Sequence, residues 1–355
     1  MSLKHQLIDK FDPSGIGSSG SLFGLPFDEE TAEVIVIPVP WEVTVSYSPG
    51  TVNGPETVLN ASPQLDLYQG DIKDAWKMGI HMIEIPEHIK KISDNYRTLA
   101  KNYIKFLEMG EPEHDMLRLA AVPDLINKAS EEMNLWVYQQ VKHYRAMGKL
   151  VALLGGDHST PLGMLKAIAE DEAAFGILQI DAHADLRVAY ENFTYSHASI
   201  SYNALQLPQV SKLVQVGIRD YAESEAEMAT SDKRIATFYD KDIKESLYGG
   251  RSWKSICEDI VKELPDKVYV TIDIDGLDPK LCPNTGTPVP GGLEMEEMLY
   301  LMKMVVLSGK EIIGFDVVEV APGPDGEDWN GNVGARVLYR MCNLYGASNG
   351  RLKLA

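Results

Sequence analysis

The strongest constraint on the fold is a repeated pairing: short apolar runs, each ending in polar residues, alternate with stretches of helical character. The runs are AEVIVIPVP (32–40), KLVALLGGDHS (149–159), FGILQIDAHAD (175–185), SKLVQVGIRD (211–220), DKVYVTIDIDGLDP (266–279) and EIIGFDVVEVAP (311–322). A continuous apolar run suits a strand buried on both faces, because a strand with one wet face would alternate. TPLGMLKAIAEDEAA and LEMEEMLYLMKMVV, lying between runs, have helical periodicity. Strand alternating with helix predicts the α/β class, with a mostly parallel central sheet covered by helices on both faces.

Residues 1–32 are rich in Gly, Ser and Pro and are expected to form an irregular N-terminal arm on the surface. No composition break follows, so residues 33–355 read as one domain. A helix is expected from Pro55, and helical character extends from about 89 to 147. There EEMNLWVYQQVKHYRAMG places Leu135, Tyr138, Val141 and Tyr144 at the spacing of a core-facing stripe. The net charge of −19 argues against nucleic acid or anionic membranes as partners, since both need basic stripes. Cys257, Cys282 and Cys342 form no CxxC pattern and no even framework, which fits a reducing compartment. With no signal-peptide pattern and no apolar run near the ~20 residues of a membrane span, a soluble cytoplasmic protein is expected.

Ligands of open α/β sheets bind beyond the carboxyl ends of the strands, and the chemistry-bearing residues of this chain fall there. His158 follows LVALLGG; Asp181, His183 and Asp185 close FGILQI; Asp273 and Asp275 close VYVTI; Glu319 ends GFDVVEV. Alternation along an extended chain would put Asp181, His183 and Asp185 on one face, and Asp273 with Asp275 on another strand's face. Burying carboxylates together without a counter-charge is costly, and divalent cations resolve the conflict. Four aspartates balance two such ions. Oxygen and imidazole donors without thiolate point to Mn²⁺ before Co²⁺, Ni²⁺, Zn²⁺ or Fe²⁺. GGDHS or DxD alone would more often be a cap or a turn, and DxHxD after a buried strand is as often a metal site as not; the three together are hard to explain as caps and turns.

GGDHS, DAHADLR, YSHAS, TIDIDGLDP and GFDVVEVAP, in this order, resemble the ureohydrolase family of arginases and agmatinases, over nearly the whole chain. The resemblance implies a three-layer α/β/α sandwich and a catalytic domain holding two Mn²⁺ per subunit. It also implies release of urea from a small cationic guanidino substrate, and a homo-oligomer, trimer or hexamer. By the same resemblance His158, Asp181, Asp185 and Asp273 would hold one manganese, and Asp181, His183, Asp273 and Asp275 the other. Glu319 would pair with the guanidinium and His197 of YSHAS would move a proton. With the ligand Asp185, these two are the residues expected at the reacting centre.

The substrate tail is less constrained. Animal-type arginases carry Asn where this chain has Arg187, and Asp where it has Ala222. DLR followed by YSHAS is closer to microbial agmatinases, so agmatine, giving putrescine and urea, is the expected substrate. Arginine is the alternative, and Arg187 as a substrate-binding residue would instead suit formimidoylglutamate or a guanidino acid. From other classes, a single-zinc deacetylase lacks its tandem His-His here, and a non-catalytic guanidino-binding protein would not need all six ligands.

Overall fold

A computed structural model describes residues 2–355, apart from the side chains of residues 113–115. Among the described residues the strands are β1 (Val34–Val39), β2 (Ile80–Met82), β3 (Leu150–Gly155), β4 (Phe175–Ile180), β5 (Val210–Ile218), β6 (Ile235–Tyr239), β7 (Lys267–Asp273) and β8 (Glu311–Val318). They form one eight-stranded sheet in the order β2-β1-β3-β8-β7-β4-β5-β6, with parallel pairing throughout. The central strands are buried on both faces, as continuous apolar runs require.

The helices are α1 (Leu3–Lys10), α2 (Gly54–Ala61), α3 (Glu87–Glu108), α4 (Glu113–Leu119), α5 (Val122–Ala146) and α6 (Leu162–Asp171). They continue with α7 (Ile200–Leu205), α8 (Glu223–Ser231), α9 (Asp240–Tyr248), α10 (Trp253–Glu263), α11 (Met295–Leu307) and α12 (Trp329–Ser348). Two groups pack within themselves: α3, α5, α6 and α7 in one, and α2, α12, α11 and α10 in the other. With the sheet they make the three-layer α/β/α sandwich. Helix α2 carries Pro55 in its first turn, where the missing N–H costs nothing.

Several expectations need correction. The first 32 residues are a surface arm only in part: residues 2–21 have no buried side chain, but the chain from Leu22 turns into the core. Ser2 caps α1, and Leu22, Phe23, Leu25 and Phe27 are buried. The Phe23 ring lies 5.0 Å from that of Tyr339 in α12, and Phe11 packs 5.1 Å from Trp76. Glycine and serine punctuation masked an apolar cluster, LFGLPF, that packs against Tyr339 of the C-terminal helix and against Trp76. The edge strands β2 and β6 were not foreseen, because three residues (IHM) and a half-buried IATFY do not make a continuous apolar run. Leu135 is 55% exposed, whereas Val141 and Tyr144 of the same stripe are buried.

The strand order decides where chemistry can occur. β3, β8, β7 and β4 are consecutive in the sheet although far apart in sequence, so their carboxyl ends share one rim. Glycines let the loops on that rim approach closely. A Cβ on Gly156 would lie 1.9 Å from the Trp41 carbonyl oxygen, and one on Gly276 would lie 2.6 Å from the Asp181 nitrogen.

Because Phe23 is fully enclosed, Phe23→Ala is expected to destabilise the protein by about 3–5 kcal/mol, read from the shift of the urea denaturation midpoint. A surface arm would give no shift.

Candidate metal centre

The rim of β3, β8, β7 and β4 brings His158, Asp181, His183, Asp185, Asp273, Asp275 and Glu319 together. His158 Nδ1 lies 3.0 Å from Asp181 Oδ2, 3.1 Å from Asp185 Oδ2 and 3.2 Å from Asp273 Oδ2. That buried nitrogen is nevertheless aligned for a hydrogen bond with none of them. His183 Nδ1 lies 3.1 Å from Asp275 Oδ2 and 3.6 Å from Asp181 Oδ1. Donor atoms of His158, Asp181 and Asp185, and of Asp181, His183 and Asp275, each fall within 4.8 Å of one another. The two groups share Asp181, one oxygen toward each, which is the donor arrangement a pair of cations needs.

The way the ligands arrive differs from simple strand alternation. β4 ends at Ile180, and Asp185 sits at φ 53° in the left-handed region. Asp181, His183 and Asp185 therefore converge through a turn beyond the strand, not along one strand face. Glu319, just past β8, is likewise left-handed at φ 63°. Asp273 is the last residue of β7, whereas Asp275 lies in a 3-10 turn that Asp273 caps, the Asp275 N–H donating to Asp273 Oδ1 at 2.9 Å. Backbone N–H groups also fix the other carboxylates. His183 N donates to Asp181 Oδ1 at 2.6 Å, and Ala182 N to Asp275 Oδ1 at 3.1 Å.

Neighbours that the sequence reading did not single out hold the donors in place. His158 Nε2 lies 2.8 Å from Thr271 Oγ1, and that hydroxyl donates to Asp316 Oδ1 at 2.8 Å. Thr271 therefore accepts from Nε2–H and leaves the Nδ1 lone pair facing the carboxylates. Gln179 Nε2 donates to Asp181 Oδ2 at 2.8 Å. The signals were present: Thr271 precedes Asp273 by one strand period, and Asp316 is a charge inside an apolar run.

Electrostatics mark the rim as a place that attracts positive charge. Burial, then the charges of Asp275 and Asp181, raise Asp273 well above the usual carboxylate range. Burial and Asp181 raise Asp185 to about 7. Burial works against protonation of His183, yet Asp275 and Asp181 outweigh it and push the ring up to about 12. Protons and metal ions compete for the same donor atoms, so a group of this kind fits a resident cation.

Beside the donors is a cavity of about 160 Å³, lined among others by His158, His183, Asp185, Arg187, Tyr190, His197, Asp220, Thr287 and Glu319. Glu319 Oε1 accepts from the His158 N–H at 2.9 Å, while its buried Oε2 has no partner. Opposite it, a Cβ on Gly286 would come within 2.8 Å of that oxygen, so the glycine keeps the space in front of it open. Burial, then the charge of His183, pushes His197 down to about 3. Arg187 lines the cavity but is engaged: its Nε lies 3.5 Å from buried Glu225, and its guanidinium stacks 4.6 Å over Tyr190. Ala222 donates its N–H to Glu225 Oε2 at 2.8 Å. Asp220, with its side chain 69% exposed, stands near the cavity 3.9 Å from His183 Nε2.

Residues 32–343 match the model of the arginase family. An N(1)-aminopropylagmatine ureohydrolase of Thermus thermophilus is 32% identical over 329 residues, 92% of this chain and 94% of that protein. An agmatinase of Bacillus anthracis is 27% identical over 299 residues, 84% and 87% of the two chains. The crystal structure of the agmatine ureohydrolase of Thermoplasma volcanium has a TM-score of 0.67 at 20% identity, covering 98% of this chain and 99% of that one. At that identity the likeness concerns the fold.

If Thr271 sets the tautomer of His158, Thr271→Val should weaken divalent-metal affinity by about 10–100-fold, measured by competition with a chelating dye.

Proposed function

The chain belongs to the arginase family, and from that premise we propose a binuclear manganese hydrolase that releases urea from agmatine or a related guanidino amine. His158, Asp181, Asp185 and Asp273 would hold one ion, and Asp181, His183, Asp273 and Asp275 the other, in accord with the two donor groups that share Asp181. Bound there, the pair would supply Lewis acidity and water of lowered pKa.

The protein's own side chains would do the rest. Glu319 Oε2, unpartnered and facing the open space before Gly286, accepts guanidinium N–H groups and turns the guanidino carbon toward the metal side. As water adds to that carbon and the C–N bond to the chain amine breaks, its electron pair goes to the amine nitrogen. The nitrogen takes up both protons of the added water, and His197 carries one of them. The products are urea and a protonated amine, so atoms and charge balance.

One observation carries the choice of an amine tail: the engaged state of Arg187. Its Nε faces Glu225 and its guanidinium lies over Tyr190, so a substrate carboxylate would have to compete with Glu225 for a cation whose side chain is 37% exposed. The exposed Asp220 carboxylate, by contrast, suits an ammonium group. That arrangement favours agmatine, or an agmatine extended by a further amine, over arginine, guanidino acids and formimidoylglutamate. The names of the Thermus and Bacillus relatives are consistent with this reading.

The Mn²⁺-loaded protein is expected to release urea from agmatine or aminopropylagmatine at least about a hundredfold faster, in kcat/KM, than from arginine, guanidinobutyrate or guanidinopropionate. Formimidoylglutamate, followed by formamide, should be equally poor. No product from any of these compounds would overturn the assignment. Asp273→Ala should abolish turnover and remove both metal ions, measured by elemental analysis of the dialysed protein; retention of two ions would contradict its shared role.

A further inference from the structure

Helix α3 stands outside the strand–helix alternation, yet two of its residues reach the loop that follows β1. Ser93 Oγ accepts from the Glu42 N–H at 3.0 Å, and Arg97 Nη1, one turn later, donates to the Val43 carbonyl at 3.3 Å. Burial lowers the Arg97 pKa, and the charges of Glu42, Asp157 and Glu191 oppose that lowering. Glu42 Oε2 then ties the loop to itself, accepting from the N–H groups of Gly50 at 2.6 Å and Val52 at 3.1 Å. The chain entering Thr44 is thus held by α3 at the Glu42 N–H and at the Val43 carbonyl.

Thr44 is fully buried, and its hydroxyl meets His197 twice. Thr44 Oγ1 accepts from the His197 backbone N–H at 3.2 Å and lies 3.4 Å from the ring Nδ1. Because the oxygen already accepts, its own hydrogen is available for Nδ1. Ser196 Oγ, also 3.4 Å from Nδ1, is partly occupied by the Ala198 N–H. An acceptor Nδ1 makes Nε2 the protonated nitrogen and the one left for the cavity that the ring lines. Neither residue lies in an α-helix or a strand: Thr44 belongs to the loop after β1, and His197 to a single 3-10 turn. Their relative position depends on this hydroxyl and on what holds the loop.

We propose that Thr44 is a positioning residue that fixes the tautomer and orientation of His197, and that α3 serves the active site by clamping the Thr44 loop through Ser93 and Arg97. The inference rests on the reading of His197 as the proton carrier in urea release. It assigns a task to the helical segment that the α/β alternation does not explain.

The test uses the full-length, Mn²⁺-loaded enzyme with agmatine or aminopropylagmatine, whichever it turns over faster. Thr44→Val keeps the shape and removes the hydroxyl; Thr44→Ser keeps the hydroxyl. Thr44→Val is expected to lower kcat by at least about tenfold, a part of the 10²–10⁴-fold that general acid–base catalysis supplies. KM and bound metal should stay within about twofold of wild type, and Thr44→Ser should recover kcat to within about threefold. Arg97→Met should lower kcat in the same way, and the Arg97→Met/Thr44→Val double variant should lose less than the product of the single losses. Full kcat in Thr44→Val, or equal losses in Thr44→Val and Thr44→Ser, would overturn the role of the hydroxyl. Multiplicative losses in the double variant would overturn the clamp. A wild-type enzyme that releases no urea sinks the functional reading and this inference with it, whereas an active wild type with an unaffected Thr44→Val sinks the inference alone.

Discussion

The packing of buried carboxylates against one another on a single rim governs the rest of the structure. Asp181, Asp185, Asp273, Asp275 and Glu319 all sit there with little or no exposure, joined by His158 and half-buried His183. Water does not solvate them, so backbone N–H groups and a positive partner must. The surrounding chain is shaped accordingly. Left-handed turns at Asp185 and Glu319 aim carboxylates that an extended strand would send elsewhere. Close approaches at Gly156 and Gly276 allow neighbouring loops to share the rim. Behind the rim, the His158–Thr271–Asp316 chain runs between adjacent strands, since Thr271 and Asp316 are register partners of β7 and β8. A donor group of this density is difficult to account for except as a cation site.

Beside the metal side, the cavity wall is organised by a second set of contacts. Glu225 accepts from the backbone of Leu186 and Ala222 and opposes Arg187, so one buried carboxylate ties the DAHADLR loop to the start of α8. Arg187 in turn lies over Tyr190, whose ring meets that of His197 edge-on at 6.2 Å. The guanidinium is therefore a piece of wall, and the proton-carrying histidine of the proposed mechanism is braced on one side by that wall and on another by the Thr44 loop. The Asp220 carboxylate, whose side chain is 69% exposed, also lines this cavity.

Much of this was legible from residue patterns. The six central and near-central strands were visible as apolar runs, because strands buried on both faces tolerate no polar alternation. The metal-side residues were visible because acids directly after such runs have no bland explanation in number. Other parts were not. β2 and β6, short or half-buried at the sheet edges, left no run to read. Phe23 and its neighbours read as an arm because the residues that bury them are distant in sequence: Tyr339 against Phe23, and Trp76 against Phe27. Thr44 looked like any loop threonine, since nothing near it in sequence hints at His197.

By itself, the sequence determined the α/β class and the donor chemistry, because both follow from local properties: the period of apolar residues, and the cost of burying acids without a cation. Tertiary structure decided that β3, β8, β7 and β4 lie side by side, and hence that donors from three separated segments converge with Glu319 from a fourth. It also decided that Arg187 is spoken for by Glu225 and Tyr190, which its place two residues after Asp185 leaves open. Strand order and side-chain pairing depend on contacts between distant segments, and no local pattern encodes which of the available partners a strand or a charge will meet.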